Sequence, residues 1–253
     1  MQLYAVKTPM VKPGDNLVEV ILASLKGQKL QLEENDVLAL ASKIVSYSQS
    51  RIVRLGELKP SKEARKLAKQ YLMEPEFAEL VLREAEKVCG GVTKALLTLK
   101  DNNMTANAGV DNKNAPLGSA VLWPENLAEW LKAFRAEMNR RAGVHVAVMV
   151  LDSSLIPLRI GTVGIALTVA GLRPIREWRG KMDLYGRRIM ITRHAVADDL
   201  ASAAHLLMGE ATEKAPVVLI KDAPVDFDDN IHGSAEMTMP SSECLFMNTI
   251  KKY

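Results

Sequence analysis

Val144-His145-Val146-Ala147-Val148-Met149-Val150-Leu151-Asp152-Ser153-Ser154 is the stretch that decides the fold. Eight residues, apolar apart from His145, predict a buried strand, and the strand ends on a carboxylate and two hydroxyls. Just upstream, Glu125 to Arg141 places Leu127, Trp130, Leu131, Phe134 and Met138 on one helical face, with Gly143 as the stop. Downstream come a glycine-rich stretch from Gly161 to Gly171, a polar turn, a strand around Arg188 to Arg193, a helix from Ala197 to Met208 and a last strand from Pro216 to Lys221. Helices and strands therefore alternate around a buried strand, which implies a compact α+β or mixed α/β body.

The N-terminal half fits the same plan. Asp15-Asn16 supplies a cap for a helix carrying Leu17, Val18, Ile21 and Leu25. Asp36 to Ser42 reads as a buried strand running into Lys43-Ile44-Val45-Ser46. After Pro60-Ser61 the chain is helical. Pro75 breaks that segment, and a second helix sets Phe77, Leu80, Val81, Ala85 and Val88 on one face until Gly90-Gly91 ends it. Leu96 to Asn107 predicts a strand pair turning at Lys100-Asp101-Asn102-Asn103. No composition shift marks a linker, so residues 1–253 read as one domain, with the acidic, small-residue tail from Asp222 unplaced.

Composition narrows the function classes. The chain has 253 residues, 48% of them hydrophobic, and a net charge of +3, which suits a globular protein and not a disordered one. The longest apolar runs fall short of a membrane span, and the N-terminus lacks a secretory pattern, so a cytoplasmic protein without membrane partners is expected. Cys89 and Cys244 are expected as reduced thiols. Basic residues alternate with acidic ones, as in Lys62-Glu63 and Arg83-Glu84, and no basic stripe flanked by aromatics argues for nucleic acid.

Three acidic residues stand at element ends beside glycine or hydroxyl residues: Asp111, Asp152 and Glu210. Asp152 with Ser153 offers oxygen donors of the kind that Mg²⁺ and Mn²⁺ take, usually one or two carboxylates completed by phosphate and water. On spacing alone, Asp111 and Asp152 read first as turn caps. Glu210 follows an apolar helix, where the helix dipole disfavours a carboxylate unless a cation or solvent offsets it. Gly161-Thr162-Val163-Gly164 permits close backbone approach or a bend, but neither a dinucleotide fingerprint nor a Gly-Lys-Ser/Thr loop occurs. Arg159 is suited to a carboxylate or phosphate, or to a surface acid. The histidines do not cluster for zinc, and Ser153 lacks a Gly-x-Ser-x-Gly frame. Asp183 to Arg188 reads as a substrate-facing turn or a plain connector.

Taken in order, Asn107-Ala108-Gly109-Val110-Asp111, the strand ending Asp152-Ser153, Arg159 to Gly164, Asp183-Leu184-Tyr185-Gly186-Arg187, and Ala195-Val196-Ala197-Asp198-Asp199 through Leu206-Leu207-Met208-Gly209-Glu210 resemble the coenzyme F420-0:γ-glutamyl ligase family. The resemblance runs from Pro9 to about Lys221. It implies an α+β fold with mixed sheets and packed helices in an intertwined homodimer, and a nucleotide-dependent amide ligase, usually GTP-using, with two Mg²⁺ or Mn²⁺ sites and K⁺ as an optional further ion. Its metal-binding positions fall on Asp111, Asp152, Ser153 and Glu210. Its nucleotide contacts fall on Lys7, Thr8, Pro9 and Met10, on Ser42 and Lys43, on Asn114, and on the loop from Glu210 through Ala211 and Thr212 to Pro216. Phosphorylating a carboxylate and letting the amine of L-glutamate attack the acyl phosphate is chemistry that paired cations assist. Arg159 and Arg187 are the candidates for clamping substrate anions, Arg159 being placed with Asp111 and Asp152 in the catalytic set.

Two departures from the family pattern bear on substrate. Where relatives carry a lysine in a Ser-Lys-Ala-Glu-Gly-Arg stretch, this chain reads Ser46-Tyr47-Ser48-Gln49-Ser50-Arg51, leaving Lys43 as the replacement cation. Where they carry Asp-Thr-Asn-Gly, it reads Asp152-Ser153-Ser154-Leu155. Three readings follow: a ligase acting on F420-0, the same ligase acting on a pterin such as dihydropteroate, and a nucleotide-binding homologue without turnover.

Overall fold

The computed structural model describes residues 1–250. Strand β1 (Gln2–Val6) leads to helix α1 (Leu17–Gly27), which starts where Asn16 Oδ1 accepts from the Val18 and Glu19 N–H groups at 3.0 and 3.3 Å. Its buried face is Leu17, Val18, Ile21 and Leu25, as the spacing predicts. Strand β2 (Val37–Ala41) passes without a loop into helix α2 (Ser42–Ser48). The expected strand over Asp36 to Ser42 thus stops at Ala41, and Lys43 to Ser46 are helical. Ile44 and Val45 are apolar because the helix folds back onto the core, not because the strand continues.

Strand β3 (Ile52–Arg54) precedes α3 (Lys62–Tyr71) and α4 (Pro75–Glu84). Helix α4 ends earlier than its periodicity suggests. Ala85 is already extended, and Val88 pairs with Thr98 in strand β4 (Lys87–Val92), so Gly90-Gly91 lie inside a strand. Ala85 and Val88 still pack on the core that α4 covers, which is why the helical spacing persisted past the helix. Strands β5 (Ala95–Lys100) and β6 (Asn103–Ala106) form the expected pair. Both turn residues, Asp101 and Asn102, have positive φ, the conformation a two-residue hairpin of matching twist needs.

Strand β7 (Ser119–Val121) leads to α5 (Leu127–Ala142), closed by Gly143 in the left-handed region, and then to β8 (Ala147–Leu155). His145 lies before this strand, exposed beside Glu34, rather than inside it. Strand β9 (Thr162–Leu172) pairs with β8 through Asp152↔Ile165 and Ser153↔Gly164, so β8 runs past Asp152 to Leu155. Short strands β10 (Ile175–Glu177) and β11 (Arg193–Ala195) pair with each other. The strand expected from Arg188 begins only at Arg193, and Arg188 makes an isolated bridge to Met182. Helix α6 (Val196–Met208) and strand β12 (Val217–Lys221) match expectation. The tail, unplaced by sequence, adds strand β13 (Phe227–His232) and helices α7 (Ser234–Met237) and α8 (Leu245–Ile250).

Six strands form a mixed sheet in the order β1-β12-β2-β8-β9-β13, parallel only between β2 and β8. Alternate side chains serve its two faces. Leu38, Leu40, Val148 and Val150 pack with α1 and α5, whereas Val37, Ala39, Ala147 and Met149 pack with α6. A separate core of Leu55, Phe77, Leu80, Leu96, Ala108 and Val110 holds the segment between α2 and α5. Cys89 and Cys244 are free thiols. Among the described residues no helix is long and apolar enough to cross a membrane.

Register decides where a site can form. Ala41 pairs with Leu151, Leu40 with Val217, and Val6 with Val217, so β1, β2 and the β2-paired part of β8 all finish at the edge where β12 starts. Segments leaving that edge meet over it, the usual position of a crevice in a sheet with a parallel centre.

Candidate functional site

A cleft of about 340 Å³ opens at this edge. Its walls are Thr8 to Met10 after β1, Ser42, Lys43 and Tyr47 on α2, Asp152 and Ser153 on β8, and the loop from Gly209 to Pro216. Asp111, Lys113 and Asn114 reach in from the second core. The loops are tied together by backbone bonds, Thr8 N–H to Lys214 O at 3.1 Å and Ala41 N–H to Pro216 O at 2.9 Å.

Asp111 is aimed by the segment before it. Asn107, Ala108 and Gly109 all have positive φ, an arrangement that non-glycine residues hold only when their surroundings enforce it. Here Asn107 Oδ1 accepts from Leu96 N–H at 2.8 Å, and Ala108 N–H donates to the buried Thr98 Oγ1 at 2.7 Å. Asp111 then bridges to Val121, and its Oδ2 accepts from Lys43 Nζ at 2.6 Å.

Asp152 lies just past the parallel partner's last residue. Burial pushes its carboxyl up from the ordinary carboxylate range, against the opposing pull of the Ser153 N–H, the Trp123 indole N–H, the Lys43 charge and the Ser42 hydroxyl. The Trp123 indole donates to Oδ2, and Ser153 N–H donates to Oδ1 at 2.8 Å. Trp123 is buried over Gly109, where a Cβ would lie 2.3 Å from the indole ring. Glycine in the Asn-Ala-Gly segment is thus what admits the side chain that orients Asp152.

Glu210 receives Thr162 Oγ1 at 2.8 Å, Lys113 Nζ at 3.0 Å and His205 Nε2 at 3.0 Å. Partial burial alone would raise its carboxyl, but these three hydrogen bonds and the Lys113 charge prevail and hold it at about 2. The offset that the dipole of α6 demands therefore comes from the chain itself. Lys113 is raised in turn, chiefly by its hydrogen bond to Glu210.

The chain brings Asp111, Asp152, Ser153, Glu210, Thr8, Pro9, Met10, Ser42, Lys43, Asn114, Ala211 and Thr212 to this one cleft. Lys7 does not line it; its N–H donates to Gln28 Oε1 at 3.1 Å. Arg159 is exposed in the β8–β9 connection, and Arg187 is exposed beside the Tyr185 ring, both outside the cleft lining. Tyr47 Oη donates to Asn114 O at 2.9 Å, and burial raises its phenol. Sequence reasoning missed Trp123 and Lys113 and left His205 unassigned. A tryptophan among apolar neighbours reads as core, and a lysine beside Asp111 reads as a solvated charge.

Among the described residues no three His, Cys, Asp or Glu side chains are close enough to hold an ion by themselves. The donors are nonetheless all hard oxygens, spread around a cleft and backed by lysines. That suits cations held by one or two carboxylates and completed by phosphate and water, not a closed protein cage.

A family model described as F420-0:Gamma-glutamyl ligase matches residues 5–222. The chain is similar to the coenzyme F420:L-glutamate ligase of Methanopyrus kandleri, 38% identical over 83% of this chain and 82% of the relative. The same-named proteins of Archaeoglobus fulgidus and Methanocaldococcus jannaschii are 34% and 32% identical, covering 84% and 98% of this chain and 84% and 97% of theirs.

Proposed function

Because the chain belongs to the F420-0:gamma-glutamyl ligase family, we propose that it joins the amine of L-glutamate to the carboxylate of F420-0, with GTP as phosphoryl donor. The observation that carries this reading is the convergence of Asp111, Asp152 and Glu210, from chain positions far apart, on one lysine-backed cleft. The acceptor carboxylate takes the γ-phosphoryl group, the glutamate amine attacks the resulting acyl phosphate, and inorganic phosphate leaves as the amide forms.

Asp111, Asp152, Ser153 and Glu210 would hold two divalent ions, Mg²⁺ or Mn²⁺. Such ions supply charge neutralisation at the phosphate oxygens and alignment of donor with acceptor. The chain's own part is positional. Trp123 fixes the rotamer of Asp152, Lys43 that of Asp111, and Thr162 that of Glu210. The walls from Thr8 to Met10 and from Ala211 to Pro216 enclose the nucleotide and limit access of water to the acyl phosphate.

Pairing of two copies is part of the same reading. Leu158 and Ile160, between β8 and β9, are as exposed as in an extended chain, at 105% and 107%, and Leu184, Tyr185 and Ile191 are also exposed. Apolar groups in projecting segments of this kind favour burial against a partner surface. Arg159 and Arg187 lie on the same segments, and their proposed contact with substrate anions depends on that pairing.

Purified protein supplied with GTP, Mn²⁺, glutamate and F420-0 is expected to yield GDP, phosphate and a product heavier by glutamyl units. A product only with dihydropteroate reassigns the acceptor, and equal turnover with ATP reassigns the donor. No product and no nucleotide hydrolysis with either acceptor overturns the ligase reading in favour of a silent nucleotide-binding homologue.

A further inference from the structure

Two lysines face the acidic groups of the cleft, and they are held differently. Lys43 Nζ donates to Asp111 Oδ2 at 2.6 Å and to Lys113 O at 2.7 Å. Among the described residues Lys113 Nζ makes a single ion pair, to Glu210 Oε2 at 3.0 Å, and its side chain is 61% exposed. The backbone beneath it is braced. Lys113 N–H donates to Asp111 Oδ1 at 2.8 Å, its carbonyl takes Lys43, and the neighbouring Asn114 links Tyr47 to Ala211. A fixed base with a long, exposed side chain lets the ammonium swing without moving the loop.

That partner, Glu210, is also a proposed donor to a divalent ion. A doubly charged ion on Glu210 would repel an ammonium 3.0 Å from the same carboxylate, so the two cations compete for it. An ammonium displaced there stays in the cleft lining, where the nucleotide's phosphate oxygens are proposed to meet those ions.

We infer that Lys113 is a transferable cation: it competes with a divalent ion for Glu210, and when the ion takes that carboxylate the ammonium moves onto phosphate oxygens of the nucleotide. This rests on the cleft being a metal and nucleotide site, and it adds an order to binding, the ion on Glu210 preparing the grip on phosphate.

Lys113→Met and Lys113→Arg test it, with two binding readouts on the full chain. Mn²⁺ affinity is read by electron paramagnetic resonance without nucleotide, and affinity for a non-hydrolysable GTP analogue by calorimetry at saturating Mn²⁺. Lys113→Met is expected to bind Mn²⁺ more tightly and the analogue about tenfold more weakly, the loss typical of one hydrogen bond to a charged group. Lys113→Arg should restore most of the analogue's affinity. Both affinities falling together, or neither changing, overturns the inference while leaving the cleft's assignment standing. Wild-type protein that binds neither probe overturns the assignment itself.

Discussion

Gly109 shows how much of the site hangs on single residues. Its φ of +72° and the indole against its Cα leave no room for a side chain. Gly109→Ala is expected to lower stability by about 1 to 3 kcal/mol in urea unfolding, the range of an overpacked core, and to shift the ultraviolet signal of Trp123 as the indole leaves Asp152. Asp152→Ala acts on chemistry instead. It should abolish metal-dependent turnover with the circular dichroism spectrum unchanged, and turnover that persists with the same metal dependence would refute the assignment of Asp152. Asp111, Asp152 and Glu210 were legible in the sequence because each stands near an element end beside glycine or hydroxyl residues. Trp123 and Lys113 were not, since their partners lie 29 and 97 residues away and no local pattern marks such a contact.

Elements were legible where their ends carry specific chemistry. Asn16 caps α1 and Gly143 closes α5, and both helices lie where the sequence places them. Asn16→Ala should lower stability by about 1 kcal/mol with glutamate ligation unaffected, as thermal melts and turnover together would show. Legibility failed where burial mimics periodicity. In α2, β-branched Ile44 and Val45 suit a strand, but tertiary packing makes them helical. Past α4, the shared core kept a helical spacing in residues that had already become a strand. Gly164 has a different reason to be glycine than a phosphate loop would supply. A Cβ there would sit 2.3 Å from Ala201 O, so its absence lets α6 lie close on β9 and sets His205 and Glu210 over the cleft.

At the scale of the molecule, the cleft joins two cores: the sheet supplies Asp152 and the strand-end loops, and the smaller core supplies Asp111 and Lys113. Stability of the smaller core has an acid limit. Glu79, buried in α4, accepts from Ser61 N–H at 2.8 Å at the start of α3 and from Arg83 Nε at 2.9 Å. Chiefly through the Ser61 bonds, with Arg83 assisting, its carboxyl falls from the ordinary 4.5 to about 2. A lowered folded-state value means that the ionised group stabilises the fold above about pH 4.5 and that this contribution fades as pH falls toward 2. The melting-temperature gap between wild type and Glu79→Gln should accordingly be full at pH 6 and close across that window. A gap that stays constant would contradict the role given to Ser61. The central claim, that distant carboxylates share divalent ions in one cleft, is tested most directly by anomalous scattering from crystals grown with Mn²⁺ and a non-hydrolysable GTP analogue. The account predicts manganese peaks within ligand distance of Asp111, Asp152 and Glu210, touching the phosphate tail. Peaks elsewhere on the protein, or a nucleotide bound away from those three side chains, would contradict it.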